Sequence, residues 1–508
     1  AGSVGAPTEG GRGAGAGPSP VFAVVGVEFD QGQKERYALP LGFASGERAA
    51  QVRERWPDAV VCRARVAGRE GIVHDGLVDP RTPAALLRLV REEGRRSGDA
   101  GVLSGRAFPA LAEMLAGGGP PEGRLQGFEQ SNSTLRYGDR CLLKLYRRLE
   151  EGPNPDVELS RFLEARGFPH VAPPGGALSL RDPGGEEMSV GLLVGYVENR
   201  GDAWGLATET LGRFYERALA EGLEVPDDVP FRSSRLLEMG ARETSARELE
   251  RVGPFLESAR LLGRRTAEMH VALASEHADP AFAPQPFSAL HQRSLYQSAR
   301  NLVGRTFRSL DERAPRLPEA AARRAGRVRS LRDPILVRFR ELADRRIDGH
   351  RIRCHGDYHL GQVLHTGKDF VIIDFEGEPA RPVGTRRVKR SPLVDVAGML
   401  RSFHYASRAG LREEESSGLT APADGDRLAP WARFWSTRVG AAFLDAYLEE
   451  IGGAGLLPAD RDEVAWLLDL FLLEKAVYEL GYELSHRPEW IPIPVEGILD
   501  LMEDRRDP

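Results

Sequence analysis

The sequence predicts an α+β chain in two lobes, the first built largely of strands and the second largely of helices. Three observations predict it. Short β-rich runs separated by polar turns dominate up to about Trp204, with few helical stretches among them. Helical periodicity dominates beyond that point. One strand pair, around Cys354–His365 and Phe370–Phe375, interrupts the helices.

The first twenty residues, Ala1 to Pro20, are rich in Gly, Ala, Pro and Ser and hold no apolar run, so they are expected as a disordered tail and not as a signal peptide. From Val21 to Phe29 the sequence is β-rich. The turn Asp30-Gln31-Gly32-Gln33 then leads into Arg36–Leu41, a hairpin signal. Further strands fit Ala59–Val66 and Gly71–Asp75. Apolar Leu86, Leu87, Leu89 and Val90 predict a helix from about Pro83 to Glu93, with Thr82 as its N-cap. The breaker Gly117-Gly118-Gly119-Pro120-Pro121 marks a boundary. Sheet resumes at Gly123–Phe128, 131–136, Cys141–Tyr146, Gly176–Leu180 and Ser189–Val197, with one helix over Pro155–Arg166. Helices are expected at about 206–222, 233–241, 254–276, 288–303, 318–346, 392–407, 429–451 and 460–486, with an enlarged polar loop over Glu413–Pro430. The organisation expected is a tail (1–20), an α+β cap subdomain (21–116), a β-rich lobe (117–204) and a helical lobe (205–508).

Bulk properties bound the function. The chain has 508 residues, 41% of them hydrophobic and 28% charged, as in an ordinary soluble protein with room for two or three domains. A net charge of −6 with dispersed arginines argues against a nucleic-acid partner. Three cysteines, Cys62, Cys141 and Cys354, lie far apart without metal-ligand spacing, which fits a reducing compartment. No apolar stretch is long enough to cross a membrane. A cytoplasmic protein is expected.

The strand pair carries the chemistry. His355-Gly356-Asp357-Tyr358-His359-Leu360-Gly361-Gln362 is followed by Ile372-Ile373-Asp374-Phe375-Glu376-Gly377. Asp357 is placed to take a proton from a hydroxyl, and Gly356 allows the tight loop that presents it. His355 is expected to brace that loop. Gln362 and Asp374 offer the hard oxygens that Mg²⁺ prefers, and Glu376 either joins them or pairs with an arginine such as Arg381. This spacing is the catalytic-loop and metal-loop pairing of phosphoryl transfer, and with the element order it predicts a bilobal protein-kinase-like fold.

Such a fold needs three more parts in its β-rich lobe. Lys144, alone among lysines in an apolar strand there, is the candidate for contacting ATP phosphates; an edge-strand gatekeeper is the alternative. Glu158 on the following helix is the candidate to orient it, with Glu164 competing. Ser131 and Ser133 sit where a phosphate cover would lie, and a plain hairpin turn explains them as well. Tyr196 and Val197 follow an apolar strand where a hinge would hold the adenine.

Taken with their flanks, these residues resemble the maltokinases, sugar kinases with an aminoglycoside-phosphotransferase-like fold. The resemblance rests on His355–Leu364, on Asp374–Pro382 with Lys389–Phe403, and on Glu474–Leu484 with Arg487-Pro488-Glu489-Trp490; Val27-Glu28-Phe29, Lys144–Arg148 and Asn199–Trp204 also fit. It implies transfer of the γ-phosphate of ATP to the anomeric hydroxyl of maltose. Asp357 would be the base, Gln362 and Asp374 the Mg²⁺ ligands, and Lys144 a phosphate contact. It also implies a sugar site in the helical lobe with His359, Arg381, Glu474, Tyr478 and Tyr482, although Tyr478 and Tyr482 equally fit core packing of a terminal helix. Trehalose synthase is the partner it suggests, and an inactive kinase-fold partner of that enzyme is the alternative from another class. The chain departs from the pattern at Gly384-Thr385 and at His404, where an aspartate is common, which keeps glucosamine or another amino sugar open as acceptor.

Overall fold

The structure is a computed structural model, and it describes residues 2–5, 18–30, 32–119, 121–128, 132–220, 229–242, 252–317, 319–417 and 422–502. Two compact units make up the chain: Ala1–Glu198 with Asp374–Arg387, and Asn199–Ile373 with Val388–Pro508.

The first unit is built on one antiparallel sheet of thirteen strands. From one edge run Val60–Val66, Arg69–Asp75, Lys34–Ala44, Val21–Glu28, Gly2–Gly5, Arg95–Gly98, Gly101–Ala107, Pro174–Arg181, Glu187–Gly195, Cys141–Tyr146, Asn132–Tyr137 and Gly123–Phe128, while Arg148–Leu149 pairs with Lys34–Ala44. Gly2–Gly5 lie within the stretch expected as a tail, yet they pair with Val21–Val24. Main-chain hydrogen bonding along a strand needs no particular side chain, so composition did not reveal it. The Gly/Pro breaker at 117–121 does not divide the sheet either. Gly101–Ala107 pairs with Pro174–Arg181 across it, and Phe22, Leu86, Leu103, Leu143, Leu178 and Leu193 share one core. The helix expected from Pro83 runs Arg81–Arg91, starting two residues earlier, and Thr82 lies inside it. The Asp79 carboxylate, not Thr82, accepts from the Arg81 amide at its start (3.0 Å).

The alternation of Cys141–Tyr146 positions Lys144. Cys141, Leu143 and Leu145 point into the core, so Lys144 faces the other side of the sheet. Lys144 pairs with Thr134 on one neighbouring strand and Leu192 on the other. The strand is therefore interior, and the edge-gatekeeper reading of Lys144 falls away.

The second unit is helical. Its helices run Ala203–Ala220, Ser233–Gly240, Phe255–Leu273, Ala289–Arg313, Glu319–Arg329, Arg332–Asp344, Leu393–Ser417, Pro422–Ile451, Arg461–His486 and Pro492–Met502. The helix expected over 318–346 is two, broken at Ser330-Leu331. The polar loop expected over 413–430 is helical up to Ser417 and again from Pro422. Glu413, Glu414 and Glu415 are good helix formers, and polarity alone misread them. The strands Val363–His365 and Phe370–Ile372 form the embedded hairpin. Among the described residues, no helix is long and apolar enough to cross a membrane.

Buried charge holds part of this unit together. Arg401, 1% exposed, donates from Nε and Nη2 to Glu479 (2.9 and 2.6 Å) and from Nη1 to His404 Nδ1 (2.8 Å). His404 stacks on Phe231, with ring centroids 5.6 Å apart. Burial, with Arg401, Arg408 and Arg433 nearby, holds the His404 imidazole well below its usual pKa. Unfolding lets it bind a proton below about pH 6.5, so stability present above that pH is lost as the pH falls. Urea unfolding should therefore show the wild type losing about 1 kcal/mol more than His404→Gln between pH 6.5 and 5.5. Equal losses would remove His404 as the titrating group.

Candidate active site

In the first unit four charged side chains converge. The Lys144 ammonium contacts Asp374, lies 2.5 Å from Glu376 Oε1, and lies 3.4 Å from Asp156 Oδ2. Asn132 Nδ2 donates to Glu376 Oε1 (2.7 Å), and Arg386 Nη1 lies 3.6 Å from Glu376 Oε2. Asp156 ties the cluster to the backbone: its Oδ1 accepts from the Phe375 amide (3.0 Å) and its Oδ2 from the Tyr146 hydroxyl (3.2 Å). Asn154 caps the helix Pro155–Ala165 by accepting from the Asp156 amide, which fixes where that carboxylate emerges. Asp374 itself adopts a left-handed backbone with φ 67°. Aspartate tolerates this conformation better than most residues, and such conformations concentrate at working sites.

Electrostatics follow from the geometry. Burial works against the Lys144 charge, but Asp374, Asp156 and Glu376 more than offset it and hold the ammonium pKa well above its usual value. Asp156 is pushed up to about 6, chiefly by burial; Lys144 pulls it down while Asp374 and Glu376 push it up. Asp156, Asp374 and Glu376 bring their oxygens within 4.8 Å of one another. Three hard oxygen donors on a charged cluster fit Mg²⁺.

The second unit holds the Asp357 loop. Gly356, with φ 85°, turns the chain so that Asp357 emerges from the loop. The Asp395 carboxylate anchors this loop by accepting from the His355 and Gly356 amides (2.8 and 2.9 Å) and contacting His270 Nε2 (3.1 Å). Burial would raise the Asp395 pKa, but His270, His355 and these bonds hold it below the usual carboxylate range. His355 Nε2 bonds the Ile373 carbonyl (2.9 Å), the bracing role expected of it. On the helix beneath, a Cβ at Gly398 would stand 2.5 Å from the Tyr358 carbonyl, so only glycine admits the loop this close. The Tyr358 hydroxyl meets Thr266 Oγ1 at 3.0 Å. Gln362 accepts from the Ile373 amide through its backbone oxygen (3.0 Å), and His359 Nδ1 accepts from the Gly361 amide (3.1 Å). Cys354 is buried, and burial pushes its thiol pKa well up, consistent with an inert packing residue.

Beside this loop stands the helix Arg461–His486. Lys475 Nζ lies 3.4 Å from Asp357 Oδ1 and 5.1 Å from the Tyr478 ring centroid. Glu474 pairs with Arg390 at 3.5 Å. Tyr478 is half-buried, while Tyr482 is 43% exposed and stacks on His486. Neither tyrosine is simply core.

Other expected residues fall elsewhere. Asp156 is the acid that the helix brings to Lys144, whereas Glu158 forms a bidentate pair with Arg387 (2.7 and 2.8 Å). A preference for glutamate in that role misdirected the reading by two residues. Ser131 lies outside the described residues. Ser133 is 1% exposed and its Oγ accepts from Arg147 Nε (2.9 Å), which makes it a packing residue and not a phosphate donor. The Tyr196 amide donates to the Arg140 carbonyl (2.9 Å), and the Arg136 guanidinium covers the Tyr196 ring. Tyr196 and Val197 are half-buried and nearly the last residues before the chain leaves the first unit at Glu198. Arg381 sits in a turn of the first unit, its amide bonded to the Glu378 carbonyl; Arg386 is the arginine at Glu376. Lys389, buried in the second unit, donates to the Pro280 and Ala283 carbonyls (2.6 Å each).

The family model described as "Phosphotransferase enzyme family" matches residues 123–431, more than half of the chain. The chain belongs to this phosphotransferase family. Two curated relatives of the phosphotransferase are glucosamine kinases. That of Streptacidiphilus jiangxiensis is 25% identical over 402 residues, covering 78% of this chain and 77% of its own. That of Mycolicibacterium smegmatis is 25% identical over 378 residues, covering 74% and 78%. A solved glucosamine kinase, in complex with glucosamine, ADP and inorganic phosphate, shares the fold with a TM-score of 0.60 at 22% identity, over 95% of this chain and 91% of that one. The phosphotransferase thus has the kinase-like α+β fold expected. The relatives are named for glucosamine and not for maltose.

Sequence reasoning gave no role to Asp156, Arg386, Asp395 or Lys475, and it read Asn132 only as part of the stretch that would cover phosphates, whereas its side chain donates to Glu376. Asp156 had a readable signal, since Asn154-Pro155 announces a helix start that puts an acid in the first turn. The phosphotransferase should show the difference between the two helix acids directly. In calorimetric titrations with Mg²⁺·ADP, Asp156→Asn should weaken binding about tenfold or more, through loss of a charged partner of Lys144. Glu158→Gln should change it by less than about threefold, as expected of a part-exposed ion pair. The reverse order would restore Glu158 to the orienting role.

Proposed function

We propose that this phosphotransferase is an ATP- and Mg²⁺-dependent sugar kinase, with an amino sugar of the glucosamine type as acceptor. The observation that carries the kinase reading is Lys144 held among Asp374, Glu376 and Asp156, with the metal loop anchored to the same helix through Phe375. Lys144 would contact the nucleotide phosphates, and Asp374 and Glu376 would hold the metal, with Gln362 as the further ligand expected from the sequence. When bound, Mg²⁺ neutralises the charge on the transferring phosphoryl group. Asp357 would accept the proton of the attacking sugar hydroxyl, and Asp395 would keep it presented through the His355 and Gly356 amides. The amino-sugar acceptor is supported by the two glucosamine kinases, which match this chain over about three quarters of its length.

A neutral acceptor such as maltose is a second reading, favoured by one specific observation. Lys475 places a cation 3.4 Å from Asp357, where an acceptor's own ammonium would meet repulsion. The helix carboxylates that could greet an amine are also paired: Glu474 with Arg390, Glu479 with Arg401 and Glu483 with Arg487.

Coupled ADP-release assays with glucosamine, maltose, glucose and kanamycin in parallel test both readings. Glucosamine should give the highest kcat/KM, and Asp357→Asn should lower kcat by about 10²–10⁴-fold while Mg²⁺·ADP still binds. Turnover with maltose alone moves the assignment to the neutral sugar. Unchanged turnover in Asp357→Asn removes Asp357 as the base, and silence with every sugar removes the sugar-kinase reading.

A further inference from the structure

A cavity of about 250 Å³ lies in the first unit, apart from the charged cluster around Lys144. The helix Arg81–Arg91 walls it on one side, and residues of the strands Val21–Glu28, Arg95–Gly98 and Gly101–Ala107 wall it on others. Phe22, Leu86, Leu89 and Leu103, none more than 6% exposed, form its apolar floor. These four share a core with Leu143, whereas Lys144, the next residue along its strand, faces the other side of the sheet. The cavity therefore sits on the sheet face that Lys144 turns away from.

Arginines dominate the polar lining. Arg81, Arg88 and Arg96 all line the cavity, and no carboxylate is among the described residues that do. Asp79 pairs with Arg81 (2.7 Å). Arg88 and Arg96, both half-buried, have no ion-pair partner among the described residues. Arg96 Nη1 donates to the Arg95 carbonyl (2.8 Å), and its Nε is buried with no hydrogen-bond partner. Thr82 Oγ1, on a residue 7% exposed, is likewise buried and unpartnered, and Thr82 lines the same cavity. Half-buried cations beside apolar walls are screened less than cations in open water, so they draw an anion more strongly. The guanidinium fork matches the geometry of a carboxylate or phosphate. An apolar floor beneath it suits the body of an organic molecule and not a bare inorganic ion.

We propose that this cavity is a second ligand site, for a small organic anion. Arg88 and Arg96 hold its carboxylate or phosphate head, and its apolar body rests on Phe22, Leu86, Leu89 and Leu103. The site does not depend on the sugar-kinase reading.

Fluorine NMR of the full chain with para-fluorobenzoate, para-fluorophenyl phosphate and the neutral para-fluorobenzamide tests the proposal, each with and without excess Mg²⁺·ADP. At least one of the two acids should broaden and shift on adding protein, equally with and without Mg²⁺·ADP, and the amide should not. Combining Arg88→Gln with Arg96→Gln should weaken that binding at least about tenfold, as expected for lost charge-assisted hydrogen bonds. Ala85→Trp, which fills the cavity and keeps both arginines, should abolish it; this variant decides the matter if the double variant lacks the wild-type thermal transition. Silence of both acids, equal binding of the amide, displacement by Mg²⁺·ADP, or unchanged binding in the folded variants would overturn the site. The acid that binds more tightly identifies the head group.

Discussion

The ion cluster around Lys144 is the constraint from which the rest of the first unit follows. A lysine in the interior of a thirteen-stranded sheet must find compensation, and it finds three carboxylates from two distant parts of the sequence. Asp156 comes from the helix Pro155–Ala165; Asp374 and Glu376 come from a segment more than two hundred residues later. Removing any one partner leaves the others with an unbalanced buried charge, which is why such clusters are costly to break and specific in what they hold together. The left-handed backbone at Asp374 is tolerated within the same set of contacts.

That requirement explains an otherwise odd feature of the chain path. Residues Asp374–Arg387 belong to the first unit although both flanks belong to the second. The segment is tied down along its length. Asp156 accepts from the Phe375 amide, Glu150 accepts from the Val383 amide (2.9 Å) and pairs with Arg386 (2.6 Å), and Glu158 grips Arg387. The Glu158 side chain therefore anchors the end of the metal-loop segment, while Asp156 anchors its beginning. In the second unit Asp395 plays the matching structural part for the catalytic loop, with His270 and Tyr447 behind it.

Much of this was legible in the sequence, and the exceptions have physical causes. Periodicity gave the strand–helix order, because alternating and 3.6-residue patterns survive in half-buried strands and amphipathic helices. Spacing singled out Asp357, Lys144, Asp374 and Glu376, because polar residues at strand ends and one lysine amid Leu142, Leu143 and Leu145 break the local pattern, and the structure brings Lys144, Asp374 and Glu376 together. Partners across long sequence separations left no such mark. Nothing local says that Ser133 is buried against Arg147, that Arg386 and not Arg381 meets Glu376, or that Lys475 lies beside Asp357. Gly2–Gly5 joined the sheet through backbone groups that composition does not report. The choice of acceptor was also beyond the sequence, since it turns on which charges line the site once internal pairs have formed. In the structure Glu474, Glu479 and Glu483 stand against Arg390, Arg401 and Arg487.

We propose that the chain transfers a phosphoryl group from ATP to a sugar hydroxyl, with Lys144 and Asp357 in the roles given above. Phosphorus NMR of the protein with Mg²⁺·ATP and glucosamine or maltose tests it most directly, because it reports the fate of the γ-phosphate itself. ADP and a sugar phosphate ester should appear in equal amounts. ADP accompanied only by inorganic phosphate, or ATP left unchanged with either sugar, would contradict it.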